Sequence, residues 1–456
     1  MLKKLKLSNV GPIPEFEFEF GDRLNLFTGD NGLGKSFLLD IIWYALTRKW
    51  PADVNKNLTS GYMARPLDLL KPAKITFDLE TAQSKTIKDY SVSFSRERQS
   101  WTGKAGRPYI SGLVIYAHAD GSFSVWDPAR NYWDKKGNID IQERQPAYVF
   151  SPTEIWDGLK SGDGKQICAG LIQDWAKWII NEKGWEIGVL EKMLELLSPP
   201  DIKLACGKLT RIDTEDIRDS PTIKMPYGEV PVLWASAGIR RILSFAYFLA
   251  WSLSEHIKAS NLLGMAPTPH IIFLMDEVES HLHPKWQRII MRGIMGVLEK
   301  IPQVFSGQKY NDAPVLDKTN WGKGKKNRIQ IFAATHSALV MSSLEQSFDE
   351  AQDKWYDFDL ASNGVLNLTH RYFELLGDID TWLTSNAFDL TSSRSIEAEK
   401  AINQANDFLD NPNMMESCKN IDGNKIYQGL LKTLSPKDEF LLRFRYICEK
   451  KGIKII

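Results

Sequence analysis

Polar and apolar residues alternate strictly over residues 3–9, and again over Glu15-Phe16-Glu17-Phe18-Glu19-Phe20 after a Gly11-Pro12 turn. A period of two predicts half-buried strands, here a pair laid against the next apolar run, Leu24-Asn25-Leu26-Phe27-Thr28. Residues 37–46 follow with the texture of a helix. Strand-like runs recur at 73–79, 90–94, 112–116 and 122–126. Their short connections, rich in glycine and charge, predict antiparallel pairing, so these runs read as one β layer inserted after the first helix.

Helical spacing takes over between about residues 148 and 200, over 171–180 and again over 187–197, until Pro199-Pro200 stops it. Short strands return over 201–232, and an amphipathic helix follows over 242–253. Two later runs break the alternation. Ile271-Ile272-Phe273-Leu274-Met275 and Ile329-Gln330-Ile331-Phe332-Ala333-Ala334-Thr335 are almost wholly apolar, the pattern of strands buried on both faces. A hairpin around Ser362-Asn363-Gly364 and a charged helical tail from Arg394 complete the chain. No internal repeat or long heptad run occurs.

Between the first apolar strand and its helix lies Gly29-Asp30-Asn31-Gly32-Leu33-Gly34-Lys35-Ser36, a complete G-x-x-x-x-G-K-[ST] phosphate loop in the strand-to-helix context the motif requires. Its glycines let the backbone curl so that N–H groups from Asn31, Gly32 and Gly34 through to Phe37 point at phosphate oxygens, and the helix N-terminus adds partial positive charge. Lys35 is expected to reach the β- and γ-phosphates, and the Ser36 hydroxyl to ligate Mg²⁺.

Both buried strands also end in chemistry. The first delivers Asp276-Glu277, and a buried acidic pair is expensive without a cation, so Mg²⁺ is its natural partner. The second delivers His336, expected at the same sheet edge. Ser236-Ala237-Gly238 precedes the amphipathic helix, where S-x-G alone reads equally well as an N-cap with a turn glycine. His281 and His283 are poorly spaced for one ion and have no apparent third ligand. Two D-x-D pairs, Asp357/Asp359 and Asp378/Asp380, lack a glutamate-bearing strand ahead of them, so no nuclease centre is expected.

Lys plus Arg and Asp plus Glu both number 57, so no global field draws the chain to nucleic acid or an anionic membrane. Any nucleic-acid contact must be a local patch. Residues 303–328, with Lys318, Lys323, Lys325, Lys326 and Arg328, are the candidate, and a solvated loop is the alternative. Cys168, Cys206, Cys418 and Cys448 are scattered, form no metal or disulfide framework, and suit a reducing cytoplasm. Neither a signal-like start nor a run of about 18 apolar residues occurs, so a soluble cytoplasmic protein with no membrane contact is expected.

Taken in order, the phosphate loop, S-x-G before a helix, apolar strand with Asp276-Glu277, and strand with His336 resemble the motif set of ABC-type ATPase heads, the class that includes RecF, SMC and OLD-like proteins. The resemblance spans residues 1 to about 345. It implies ATP and Mg²⁺ as cofactors, Asp276 orienting the ion, Glu277 polarising the attacking water and His336 contacting the γ-phosphate. It also implies that Ser236 and Gly238 reach the nucleotide of a second subunit, with residues 279–284 lining that seam. The run from Asp276 to Pro284, the helix over 170–178, and residues 381–385 and 393–399 resemble the compact AAA-type ATPases of bacterial anti-phage defence systems such as Septu, PARIS and the retron-associated ones. The second motif lacks the second glycine and the glutamine of the transporter version. Gln142, Gln145, Gln166 and Gln173 all stand as alternatives for the family's glutamine loop.

The expected fold is α/β, a P-loop ABC-type ATPase head. An antiparallel β layer belongs to lobe I (1–147) and the S-x-G motif to a helical lobe II (148–255). The acidic and histidine strands lie in 256–345, and a C-terminal hairpin with a helical extension in 346–456. The implied function is an ATP-binding and hydrolysing switch subunit of an anti-phage defence complex. It would be a slow Mg-dependent ATPase, a homodimer or higher homo-oligomer, acting through a separate effector protein such as a nuclease or toxin. A RecF/SMC-like DNA-repair or DNA-binding ATPase is the competing reading, weakened by the neutral charge and the lack of coiled-coil arms.

Overall fold

Strand His270–Met275 is buried along its whole length, which requires a strand on either side of it and a covering layer on each face. The computed structural model, which describes residues 1–81, 86–103, 109–136, 139–181, 185–268, 270–306, 328–361, 364–388, 390–410, 419–453 and 455, places it inside an eight-stranded sheet. The strand order is Tyr148–Phe150, Phe123–Trp126, Leu113–Ala117, His270–Met275, Arg328–Ala334, Leu24–Gly29, Lys354–Leu360 and Leu366–Arg371. Neighbours from Leu113–Ala117 to Lys354–Leu360 are parallel, and antiparallel pairs finish each side. Met275 lies opposite Ala117 and Ala333, and Ala334 opposite Phe27. Parallel strands in level register release their next residues at one edge, so His118, Asp276, Thr335 and the phosphate loop emerge together.

A five-stranded antiparallel sheet covers this core, in the order Ile13–Glu19, Leu2–Val10, Lys74–Glu80, Thr86–Ser95 and Ser100–Gly103. Alternation sorts its faces. Leu5 and Leu7 stand opposite Phe18 and Phe16 on the buried side, while Lys4 and Lys6 reach Glu17 and Glu15 on the solvent side. Exposed pairs of this kind are worth about 0–1 kcal/mol, so the buried face does the anchoring. Phe18 meets Phe27 edge-on with ring centroids 6.3 Å apart, and Phe20 meets Phe332 at 5.0 Å. Helix Lys35–Thr47 shares this core and is buried from Leu38 through Thr47.

Two expectations are corrected here. The runs at 112–116 and 122–126 do not join the antiparallel layer. Leu113–Ala117 and Phe123–Trp126 form a hairpin within the main sheet, every residue buried. Burial on both faces demands a central position, which Leu113–Ala117 finds beside His270–Met275. The hairpin assigned to the C-terminal extension is the other side of the same sheet: Lys354–Leu360 runs parallel to Leu24–Gly29 and Leu366–Arg371 closes it. Ser362 and Asn363, at its turn, lie outside the described residues. One compact unit therefore runs from Met1 to Gly377 and a second from Asp378 to Ile456.

Helices Leu171–Ile180 and Glu186–Leu197 and a three-stranded antiparallel sheet, Ala205–Thr210, Ser220–Met225 and Gly228–Pro231, precede the long helix Ala237–Leu262. Phe248 of that helix stacks on Phe123 at 4.4 Å and meets Phe150 at 5.0 Å, fixing it to the main sheet. In the second unit, helices Ile396–Asp410, Lys419–Thr433 and Glu439–Lys450 share a core of Ala405, Phe408, Leu430, Phe444 and Cys448.

Phe18 is fully buried and touches Phe16, Phe20, Phe27, Tyr356 and Phe358. Phe18→Ala should lower the unfolding free energy of the main unit by about 3–5 kcal/mol. Urea unfolding followed by tryptophan fluorescence measures this, and a loss no larger than that of a surface substitution would show that the two sheets are not joined through this cluster.

Candidate functional site

The phosphate loop is shaped by its backbone. Gly29, Gly32 and Gly34 have φ of +124°, +80° and +95°, the left-handed region that glycine enters at little cost. At Gly29 an added Cβ would lie 2.1 Å from the Phe358 carbonyl oxygen, so the loop can leave its strand here only without a side chain. Gly34 is the N-cap of helix Lys35–Thr47. Asn31, Gly32 and Ser36 are exposed, and the half-buried Phe37 packs against Gly11. Lys35 turns inward, donating from Nζ to the carbonyls of Gly29 and Asp30 at 2.8 and 2.7 Å. Burial pushes its ammonium down to about 8, against the pull of Asp276, Asp30, Glu277 and Glu279.

Asp276 reaches the loop because its strand end is pinned by its own N–H, which donates to the Ala117 carbonyl at 2.9 Å. Its carboxyl lies near the Ser36 side chain. Burial pushes that carboxyl up to about 6, opposed by Ser36, Lys35 and Arg241 and reinforced by Glu277. A carboxylate beside a hydroxyl, with a second carboxylate next in the chain, is the oxygen donor set that a hard ion such as Mg²⁺ accepts. Glu277 leaves the strand at φ +46°, uncommon for a residue with a side chain. The His336 ring lies near the Gly29 backbone. Burial and the Lys35 charge push its pKa down, while Glu277 pulls it up.

Ser236 and Gly238 stand apart from this group. Ser236 is exposed and caps its helix, accepting from the Ile239 N–H at 3.5 Å. Gly238 packs on the segment after the acidic pair, where an added Cβ would lie 2.7 Å from the His281 carbonyl oxygen.

Two further carboxylates belong to the edge. Glu279 accepts from Thr335 Oγ1 at 2.8 Å and from the His336 N–H at 2.5 Å, tying the acidic segment to the histidine strand. Its sequence signal is the third acid in Asp276-Glu277-Val278-Glu279. Asp40, a lone acid inside an apolar helix, accepts from the Tyr116 hydroxyl at 3.0 Å, and burial pushes it well above the usual carboxylate range. His118 follows Leu113–Ala117, the strand beside the acidic one. Asp357 is buried, accepts from Thr28 Oγ1 at 2.7 Å and pairs with Arg371 at 2.7 Å, while Asp378 caps helix Ile379–Leu383. Of the basic stretch, residues 307–327 lie outside the described residues.

Residues 4–146, which hold the phosphate loop, match a family model described as "AAA domain". Residues 195–342, which hold the S-x-G, acidic and histidine motifs, match one described as "AAA domain, putative AbiEii toxin, Type IV TA system". Both matches are to AAA-domain models, and between them they take in the phosphate-loop, S-x-G, acidic and histidine motifs. The chain is similar to Septu protein PtuA of Bacillus thuringiensis, 22% identical over 309 residues that make up 66% of this chain and 69% of that protein. Among solved structures, the SMC head domain from Thermotoga maritima aligns with a TM-score of 0.37 and 17% identity, covering 81% of this chain and 99% of that one. An SMC head bound to the C-winged helix domain of ScpA aligns with a TM-score of 0.37 and 12% identity, covering 82% and 98%. Among the described residues no helix is long and apolar enough to cross a membrane.

The depressed Lys35 gives a pH signature. Between about 8, its folded value, and 10.5, its unfolded value, the unfolded chain holds a proton that the native state has released, so native stability rises with pH across that window. Below it the native state carries a buried ammonium. Lys35→Met should therefore melt higher than the wild type at neutral pH, with the gap closing as pH climbs through that window. Differential scanning calorimetry reads the difference, and a gap independent of pH would mean that Lys35 is not desolvated.

Proposed function

We propose that this chain is a nucleotide-driven switch subunit of a bacterial anti-phage defence complex in the cytoplasm. It closes on Mg-ATP as a homodimer or larger homo-oligomer, hydrolyses ATP slowly, and acts through a separate effector protein. The observation that carries the ATPase chemistry is the left-handed glycine loop with Lys35 Nζ on the Gly29 and Asp30 carbonyls, at the sheet edge where Asp276 leaves its strand. The defence setting is supported by the likeness to Septu protein PtuA and by the toxin–antitoxin description of the model matching residues 195–342.

In the proposed reaction Lys35 exchanges the Gly29 and Asp30 carbonyls for the β- and γ-phosphates, and the N–H groups of Asn31, Gly32, Gly34 and Phe37 line the phosphate chain. Ser36 and Asp276 would hold Mg²⁺, which would supply the charge that phosphoryl transfer to water has to balance. Glu277 polarises the attacking water and accepts its proton, while His336 holds a γ-phosphate oxygen. ADP and phosphate are the products. Ser236 and Gly238, exposed or half-exposed at the head of their helix, serve the nucleotide of a second copy. Two copies exchanging this end make two identical sites across a twofold axis. The γ-phosphate then ties the copies together, and hydrolysis releases the tie, which is how an effector would be held or freed.

Lys35→Ala should abolish ATP binding in equilibrium titration, and unchanged affinity would remove the nucleotide assignment. Glu277→Gln keeps the side chain's shape without its base, so it should accumulate the ATP-closed assembly, whereas Ser236→Arg should bind ATP without closing. Light scattering with and without ATP compares them. Identical assembly states for the two variants would overturn the composite site while leaving nucleotide binding intact.

A further inference from the structure

Arg241 lies five residues beyond the Ser236 cap, about 7.5 Å along the helix, yet it is only 6% exposed. Its guanidinium sits over the rings of Phe123 and Phe245, 5.8 and 4.8 Å from their centroids, and Nη2 donates to the His118 carbonyl at 2.9 Å. Nε and Nη1 are buried and have no hydrogen-bond partner among the described residues. Leaving a buried charged donor unpaired costs stability, and an apolar side chain of similar length would avoid that cost. Stability alone does not account for an arginine here.

The His118 carbonyl that takes Nη2 follows Ala117, whose own carbonyl holds the Asp276 N–H, so the guanidinium lies beside the end of the acidic strand; the acids whose charge acts on it are Asp120, Asp276 and Glu277, and the first two are engaged. Asp120 accepts from the hydroxyls of Thr59, Ser60 and Ser122 and from the Ser122 N–H. Asp276 has the Ser36 side chain beside it. Glu277, turned out of its strand at φ +46°, has no hydrogen bond from its carboxylate to a described residue and is the acid left to receive a donor.

We propose that Arg241 is a positioning residue for hydrolysis: when Ser236 engages the nucleotide of the opposite copy, the helix start shifts and the free Arg241 N–H groups close on Glu277, aiming its carboxylate at the attacking water. This rests on the roles given above to Ser236 and Glu277. It makes the occupancy of one copy's exposed helix end felt inside that same copy, through a side chain that never touches nucleotide.

The test compares Arg241→Met, Arg241→Lys, Glu277→Gln and the Arg241→Met/Glu277→Gln double variant in the full chain. Arg241→Met should melt no lower than the wild type and bind ATP with unchanged affinity and KM, while kcat falls about tenfold or more. Arg241→Lys, with one compact donor group, should fall between them. In the double variant, loss of Arg241 should slow residual turnover no further, because the two residues act as a unit. A merely structural arginine would instead lower the melting temperature and be rescued in full by lysine. The proposal is overturned by a methionine variant whose kcat stays within about twofold of the wild type, or by additive losses in the double variant. Should the methionine variant not fold, full wild-type kcat in Arg241→Lys overturns it equally. Failure of the underlying reading shows elsewhere, as wild-type protein without ATP turnover or Lys35→Ala that still binds ATP.

Discussion

A lysine ammonium and an aspartate carboxyl are buried together where the parallel strands end, and the rest of the structure serves that placement. Burial acts against both charges, lowering Lys35 and raising Asp276, while each charge partly offsets the other's shift. The pair can be held only if the phosphate-loop strand and the acidic strand end level, with the histidine strand between them. Level ends require a sheet that cannot slip. The wholly buried strands Leu113–Ala117 and His270–Met275 provide this, because a one-residue slip would move every side chain to the opposite face.

The covering layers then acquire a reason. Helix Lys35–Thr47 is enclosed between the main sheet and the antiparallel sheet, so the loop at its head is held from behind by one continuous aromatic and aliphatic core. Phe18, Phe20, Phe27, Tyr356 and Phe358 pack the two sheets onto each other beneath the loop. The side of the sheet formed by Lys354–Leu360 contributes Asp357, which grips Thr28 one residue before the loop glycine. The first carboxylate of the Asp357/Asp359 pair is thus part of the loop's footing.

The segment after the acidic pair connects the parts. Glu277 and His281 both adopt left-handed backbone, at φ +46° and +64°, strain that concentrates where the chain serves two neighbours. On one side Glu279 binds the start of the histidine turn. On the other the His281 carbonyl lies against Gly238, at the head of the helix that buries Arg241. The sheet edge that bears the phosphate loop and the exposed Ser236 end are therefore linked through a few residues of backbone under constraint.

The local chemistry was legible in the sequence. The phosphate loop, the acidic strand and the histidine strand are each contiguous, so glycine spacing, an uninterrupted apolar run and the polar residue that ends it carry the whole signal. The alternation at the N-terminus likewise announced a two-faced sheet. What only the tertiary structure decided was which strands are neighbours. Leu113–Ala117 could be placed beside the acidic strand, and Lys354–Leu360 beside the loop strand, only by pairing between distant parts of the chain, as in Thr28 and Asp357, 329 residues apart. Hydrophobic periodicity reports how deeply a strand is buried but not beside which strand, and for the same reason it could not show that Glu279 joins two strand ends or that Arg241 is buried among Phe123, Phe245 and the His118 carbonyl.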